Sequence, residues 1–474
     1  MKKYLALVLG VLFTLGFAVS AFAIHAEIPA ETQAVVAKGA TQIKLGGELR
    51  FRGEIKNNTD VDANNGATEN TDTSSAYDGR VRIRVQADVS KNTQGVIHLE
   101  GGNGLTGDTY TWGSGSTGTI ADSGTTTKGT SSFSEGKGYY GFGNGKRGDI
   151  NILEAWIQHK FTSIPVGIKV GHMPLALGNK LFFDHSKFGD DAILVFVDPV
   201  KELEIALLTI KINEANNTNG LHNNDDADAY VGLFVYSPSK GTSISGDVTM
   251  VDDKRFDGAL GPNDNEVHLY NYGLRADTAV GGLGIKADLE LQGGKVKGET
   301  FEEKFKGFAY LVGLSYKVDP VKLSLDYAYG SGDDNSSDDT NKTFVTSLSG
   351  SQYSTYMYDY RVTNATGSTT QRGIANTQYI RLGANGDLTK DLNLDVNLYR
   401  LRAVKAAVAA GYDYRAGTSK NIGSELDAKI TYKLDKNLVY FVEGGYLWTG
   451  KFYDSATVAA DDAYAVRHGI TLSF

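Results

Sequence analysis

Arginine stands at alternate positions in two neighbouring stretches, Arg50 and Arg52 in the first and Arg80, Arg82 and Arg84 in the second. Guanidinium groups stay charged and present a fixed fork of donors. A row of them on one face therefore either draws anions along it or locks into carboxylates. Lys44 and Lys169 extend the basic set, and Asp288, Glu290, Asp326, Glu425, Asp427 and Glu443 form an acidic one further along the chain. Facing each other across a cavity, the two sets would produce a transverse field that orders dipolar or charged solutes. Paired with each other, they would form a salt-bridge lattice that only stiffens a wall.

Other chemistry has weaker support. None of the 474 residues is Cys, which excludes disulfides, thiolate metal sites and a cysteine nucleophile. The eight His are scattered without metal-ligand spacing, so no metal and no cofactor is expected. Gly113-Ser114-Gly115-Ser116-Thr117-Gly118 matches a dinucleotide fingerprint in letters only, with no buried strand before it and no helix pattern after it. Asp60, Asp62 and Asn64 begin like a calcium loop, but the required Gly is displaced by one and no Glu closes it. Asp184 and His185 would be the first suspects in a hydrolytic enzyme of the protease or phospholipase type, yet no serine-nucleophile constellation or carboxylate pair is identifiable beside them, and no enzymatic activity is expected. The formal charge of −9 with no strongly basic run gives no support for nucleic-acid binding.

The elements that must position these charges are strands. In 42–56, Ile43, Leu45, Leu49, Phe51 and Ile55 alternate with Lys44, Glu48, Arg50, Arg52, Glu54 and Lys56. In 80–90, Val81, Ile83, Val85, Ala87 and Val89 oppose Arg80, Arg82, Arg84, Gln86 and Asp88. Residues 283–291, 321–329 and 424–432 repeat the pattern, so each strand has one apolar and one polar face. Parity is mixed in 95–101, 192–197 and 203–212, where bulges or partial withdrawal from the wall are expected.

Residues 1–23 read as a secretory signal peptide: a Lys2-Lys3 head, an apolar stretch, and Ala21-Phe22-Ala23 as a small-x-small cleavage site. Its removal takes the formal charge from −9 to −11. Residues 24–41 form a periplasmic segment with room for a helical turn or two, and 42–474 form a single domain. No later stretch is long and apolar enough for a spanning helix.

Between the strands, short turns alternate with long polar loops, the signature of an outer-membrane barrel rather than a soluble sandwich. Eight short turns and nine long loops predict eighteen antiparallel strands, to within about two, with both termini on the periplasmic side. Proline agrees, since Pro165, Pro199, Pro238 and Pro320 fall at short turns, Pro174 and Pro262 in long loops and Pro29 before the first strand. The predicted fold class is thus an all-β transmembrane antiparallel barrel. The loop 174–191, with Leu181, Phe182, Phe183, Asp184, His185 and Phe188, is apolar for an external loop, and is expected either to fold inward as a constriction or to cap the mouth. Asp333-Asp334 and Asp338-Asp339 are candidates to hold divalent ions or to bridge lipopolysaccharide.

The final strand places Tyr464, Val466, His468, Ile470, Leu472 and the terminal Phe474 on one face. It resembles the C-terminal signal by which bacterial outer-membrane barrels engage their assembly machinery. Three stretches resemble the alginate-export family of eighteen-stranded porins: Lys169-Val170-Gly171-His172-Met173-Pro174-Leu175-Ala176-Leu177-Gly178-Asn179, Tyr327-Ala328-Tyr329-Gly330-Ser331-Gly332-Asp333-Asp334-Asn335 and Ser424-Glu425-Leu426-Asp427-Ala428-Lys429-Ile430-Thr431-Tyr432. The resemblance implies the strand count and a channel role. The family's pattern usually carries an Arg-Gln pair where His172-Met173 stand, which weakens any transfer of the substrate.

The function expected from these observations is a porin of the bacterial outer membrane, a passive channel for small charged or polar solutes. Its partners would be outer-membrane lipid and lipopolysaccharide, the barrel-assembly machinery and diffusing solutes, with association into a homo-oligomer left open. The alternatives are a dedicated exporter of an acidic polysaccharide, a barrel enzyme, or the sheath of an electron conduit that would require a separate haem protein.

Overall fold

Alternation of side chains at a period of two means that each strand must find a different medium on each face. Leu274 is 54% exposed while its neighbour Arg275 is 3% exposed, and Leu325 and Asp326 repeat the contrast. The apolar face points outward and the charged face inward, which suits a wall between lipid and an enclosed lumen.

The computed structural model describes residues 34–38, 41–61, 73–102, 110–111, 149–214, 226–256, 265–298, 301–335, 338–348, 355–362, 373–406, 419–454 and 459–474. The signal-like segment 1–23, the stretch 113–118, and Asp62 and Asn64 of the calcium-like motif lie outside them. No helix occurs among the described residues.

Eighteen long strands form the wall. The first nine are β1 (Thr41–Asn57), β2 (Thr73–Ser90), β3 (Thr93–Gly102), β4 (Asp149–Lys160), β5 (Val166–Met173), β6 (Asp190–Val200), β7 (Leu203–Asn213), β8 (Ala227–Ser239) and β9 (Thr242–Phe256). The others are β10 (Asn265–Val280), β11 (Leu283–Lys297), β12 (Phe308–Val318), β13 (Val321–Gly330), β14 (Thr377–Thr389), β15 (Leu392–Ala403), β16 (Asn421–Asp435), β17 (Leu438–Thr449) and β18 (Ala463–Ser473). Each pairs antiparallel with the next, and β18 closes on β1 from Glu48↔Ser473 to Asn57↔Tyr464. Closure satisfies the backbone groups that an open edge would leave bare in lipid.

At the seam, Phe474 exchanges two backbone hydrogen bonds with Gly47, at 2.7 and 3.0 Å. Its ring lies over Gly47, where a Cβ would stand 2.6 Å from the ring tip, so only glycine admits it. The start of β1 runs on past the end of β18. Ala34–Lys38 covers that overhang by pairing antiparallel with the residues from Thr41 to Leu45. The leading segment therefore contributes a strand where a helical turn was expected, because a bare strand edge needs a partner more than five residues need a helix.

Register shifts explain two of the mixed-parity stretches: one at His98/Leu99 between β3 and β4, and others at Leu203/Ile205 and Lys211/Asn213 along β7. The third has another cause. β6 pairs regularly with β5, but its inner face, Ala192, Leu194 and Phe196, is buried with apolar residues of the loop that follows β5.

Candidate functional site

The arginine rows lie on the lumen face of β1 and β2, where Arg50 stands directly opposite Arg80 and Glu48 opposite Arg82. Cross-strand neighbours on one face are only about 5 Å apart, so like charges at that spacing need counter-charges between them. Arg80 donates to Glu48 at 2.5 and 2.8 Å. Arg82 donates to Glu100 at 2.5 Å, Arg52 to Asp78 at 2.9 Å, and Lys44 pairs with Asp88 at 3.0 Å.

Glu154 collects Arg84 at 3.2 Å, His98 at 3.0 Å and the indole N–H of Trp156 at 2.8 Å. Lys169 is 1% exposed. Its ammonium lies 3.8 Å from the centre of the Trp156 ring, a cation–π seat in a dry wall.

The acidic set is also compensated locally. Arg275 is buried among Asp247, Asp288 and Glu290. Arg381 pairs with Asp326, which Lys286 approaches at 3.3 Å. Arg467 pairs with Glu443, joined by Lys429 at 3.1 Å. The picture of a basic wall facing an acidic wall is therefore corrected: the two signs are interleaved strand by strand. The counter-ions Glu48, Asp78, Asp88, Glu100, Asp247, Arg275, Arg381 and Arg467 had a readable signal, since each alternates in phase with the polar face of its own strand; Glu154 did not, because a bulge breaks the parity between it and Ile152. What the sequence lacks is the register that brings them together.

Two long loops enter the barrel and cover part of this lattice. The first, 174–189, turns back on itself through hydrogen bonds from His185 N to Leu175 O at 2.8 Å and from Leu177 N to Phe183 O at 3.1 Å. At its tip, Gly178 adopts φ 53° and lies against the Arg275 side chain, while Asn179 N donates to Asp288 at 2.9 Å. Leu175, Leu177, Leu181, Phe182 and Phe183 are buried together with inner residues of β6 to β8.

The second, described over 331–335, 338–348 and 355–362, meets the first in a short parallel pairing of Ser347–Leu348 with Phe183–Asp184. The Phe182 and Phe344 rings stack edge to face, 6.4 Å apart. Farther on, Met357 N and Tyr358 N donate to Glu425 at 2.5 and 2.9 Å, and Tyr356 N donates to Asp427 at 3.0 Å. Arg361 reaches Glu54 at 2.5 Å, with its guanidinium 3.5 Å from the Tyr360 ring centre.

Asp288, Glu290 and Glu425 are thus sealed in contacts with arginine or loop backbone rather than presented to open water. Asp184 and His185 point to different tasks. Asp184 accepts from Ser186 and Lys180, while His185 contacts Asp190 at 2.8 Å and Ser347 at 3.2 Å. Phe188 stays partly exposed at the loop's outer end, and its carbonyl contacts His172 at 2.7 Å. Asp333 and Asp338 bind loop backbone N–H groups. Among the described residues no cluster of His, Asp and Glu has metal-binding geometry.

An eighteen-strand closed barrel, apolar outside and charged inside, is of the outer-membrane porin class in fold. The alginate export family model matches residues 41–466, and the chain belongs to that family. Among solved structures it is similar to a BenF-like porin from Pseudomonas fluorescens Pf-5, with TM-score 0.52, 10% identity, and 91% of this chain and 98% of that chain covered. It is also similar to Pseudomonas aeruginosa OpdL, with TM-score 0.51, 12% identity and the same coverage of 91% and 98%. At these identities the likeness is one of fold. A search of curated proteins finds no match.

Proposed function

We infer that the chain is a porin, a passive water-filled channel of the bacterial outer membrane for small charged or polar solutes. One observation carries this reading: a closed wall whose inner face, outside the apolar stretch of β6 to β8 that the inward loop covers, is a lattice of charged and hydrogen-bonding groups, which can replace a solute's hydration shell step by step. On this reading residues 1–23 direct export and are cleaved after Ala23, 24–41 remain periplasmic and 42–474 form the barrel. Phe474 is the signal read by the assembly machinery. The loop 174–189 acts as the constriction, and the Arg50, Arg82 and Arg84 face favours anions over cations.

Reversal potentials in planar bilayers test the last point. Wild type under a salt gradient should show anion preference, and Arg50→Ala, Arg82→Ala and Arg84→Ala should each move the potential toward cation preference. Identical potentials in wild type and all three variants would remove the arginine row from the mechanism.

Family membership favours a second reading, a dedicated exporter of an acidic polysaccharide. It predicts that an acidic oligosaccharide blocks the conductance while liposomes carrying the protein take up no small sugars.

A further inference from the structure

Below the inward loops, toward the turns that join β10 to β11 and β12 to β13, the lumen wall opens into a cavity of about 350 Å³ lined by side chains of β10 to β15. Its space comes from glycine. Gly313 faces inward between Lys286 and Asp326, and Gly383 between Ser324 and Asn397, each aligned across the strands with those neighbours. A Cβ at Gly383 would overlap the Ser324 hydroxyl and stand 2.7 Å from the Asn397 side-chain oxygen. These two positions thus leave a trough into which polar side chains of the flanking strands lean.

The charges lining the trough are Asp277, Asp326 and Asp395 against Lys286, Lys322 and Arg381, three of each sign and a formal sum of zero. The two cations nearest the glycine floor, Arg381 and Lys286, both serve Asp326. Arg381 also donates to Asn397 at 3.0 Å and reaches the Ser324 hydroxyl at 3.4 Å. Asn397 donates in turn to Asp395 at 2.5 Å, which accepts from Asn385 at 2.7 Å. The result is a run of planar carboxylate, amide and guanidinium groups that hold each other in place, with serine hydroxyls between them. Such a surface offers donors and acceptors in close alternation but no uncompensated charge, and the volume lies at the lower end of ligand pockets, about 300–1,000 Å³.

We propose that this trough is a binding subsite for a neutral polyhydroxylated solute of monosaccharide size. Adjacent hydroxyl groups on a sugar ring are donors and acceptors at once, which matches alternating carboxylate, amide and hydroxyl partners. An anion gains nothing here, because taking up a cation would strip Asp326 of its partners and leave a buried carboxylate uncompensated. The proposal rests on the channel reading for how the solute arrives, but the subsite itself is defined by the wall.

The test uses a matched pair of probes, glucose and glucuronate, which differ only at C6, a hydroxymethyl group in one and a carboxylate in the other. Saturation-transfer NMR on the folded, detergent-solubilised full chain should show saturable glucose binding and about tenfold weaker glucuronate binding, the scale of one lost net hydrogen bond or charge mismatch. Gly383→Val fills the trough and should abolish the glucose signal. Ser324→Ala combined with Asn397→Ala keeps the space and should weaken binding about tenfold or more. A heat-modifiable shift in gel mobility establishes that each variant is folded; should Gly383→Val misfold, the double variant decides. Equal binding of the two probes, no saturable glucose binding by wild type, or unchanged glucose binding in the folded variants overturns the proposal. Conductance of the same preparations separates the two readings, since a protein that conducts ions but does not bind glucose loses only the subsite.

Discussion

The seating of the loop 174–189 turns on one glycine. Gly178 sits at φ 53°, and a Cβ there would overlap the Arg275 guanidinium. Arg275 cannot yield, because Asp247, Asp288 and Glu290 hold it on three sides. In Gly178→Ala, keeping the left-handed backbone costs about 1–2 kcal/mol, and lifting the tip off Arg275 also breaks the bond from Asn179 N to the Asp288 carboxylate, worth about 1.5–3 kcal/mol. Together these lower the ratio of seated to released loop by roughly 2.5–5 kcal/mol, about a hundredfold to a few thousandfold. The barrel ladder is untouched, so thermal unfolding should stay at the wild-type temperature.

Two assays read the loop directly. Single-channel recordings should show a larger mean conductance with discrete steps as the loop leaves and returns. Trypsin should cut faster after Lys180 and Lys187, which the seated loop protects. Wild-type conductance and wild-type cleavage in a correctly folded Gly178→Ala protein would refute the claim that contact with Arg275 holds the loop in the lumen.

The second loop should respond to Glu425→Ala, which removes the acceptor for Met357 N and Tyr358 N; tryptic cleavage after Arg361 should accelerate while cleavage after Lys180 does not. Glu154→Ala strands the donors of Arg84, His98 and Trp156 in a buried wall, and should destabilise the barrel by about 3–5 kcal/mol in urea titrations in lipid. Gly47→Val forces the Phe474 ring off its seat, and should slow the appearance of the heat-modifiable band during refolding into lipid vesicles. Removing Phe474 itself should slow assembly in cells more than refolding in vitro, if the terminal residue is read by assembly machinery as well as packed against Gly47.

Much of the wall was legible because a strand between two media must alternate, and alternation is written locally. The stretches 42–56 and 80–90 carry their inward and outward faces in the order of their residues. Proline marks the ladder less simply than expected: Pro165 and Pro320 stand in the short turns, whereas Pro199 and Pro238 lie in the last residues of β6 and β8, where the cross-strand register skips them because proline has no N–H to donate. The arginine rows could be read the same way, and so could Phe474 as the end of an alternating face. Their partners could not. That Arg84 meets Glu154 on a strand seventy residues away depends on the order of strands around the barrel and on a bulge at His98/Leu99. The unusual apolar content of 192–197 was visible as broken parity, but its cause lay in another segment: an inner wall can be apolar where a loop covers it.

By itself, the sequence determined which face of each strand is apolar, the number of crossings to within about two, and the alternation of short turns with long loops. All three follow from short-range rules: a period of two, turn chemistry and connection length. Only the tertiary structure decided how the charges are spent. Closing the strands into a barrel brings carboxylates from β1, β3 and β4 between the arginines of β2, so what reads along the chain as separate basic and acidic sets becomes an interleaved lattice. The same closure brings Gly178 to Arg275 and Tyr358 to Glu425, and opens a neutral trough beside Gly313 and Gly383. Coulomb and hydrogen-bond energies fall off over a few ångströms, so the partner of each charge is set by register across strands, which no stretch of sequence contains on its own.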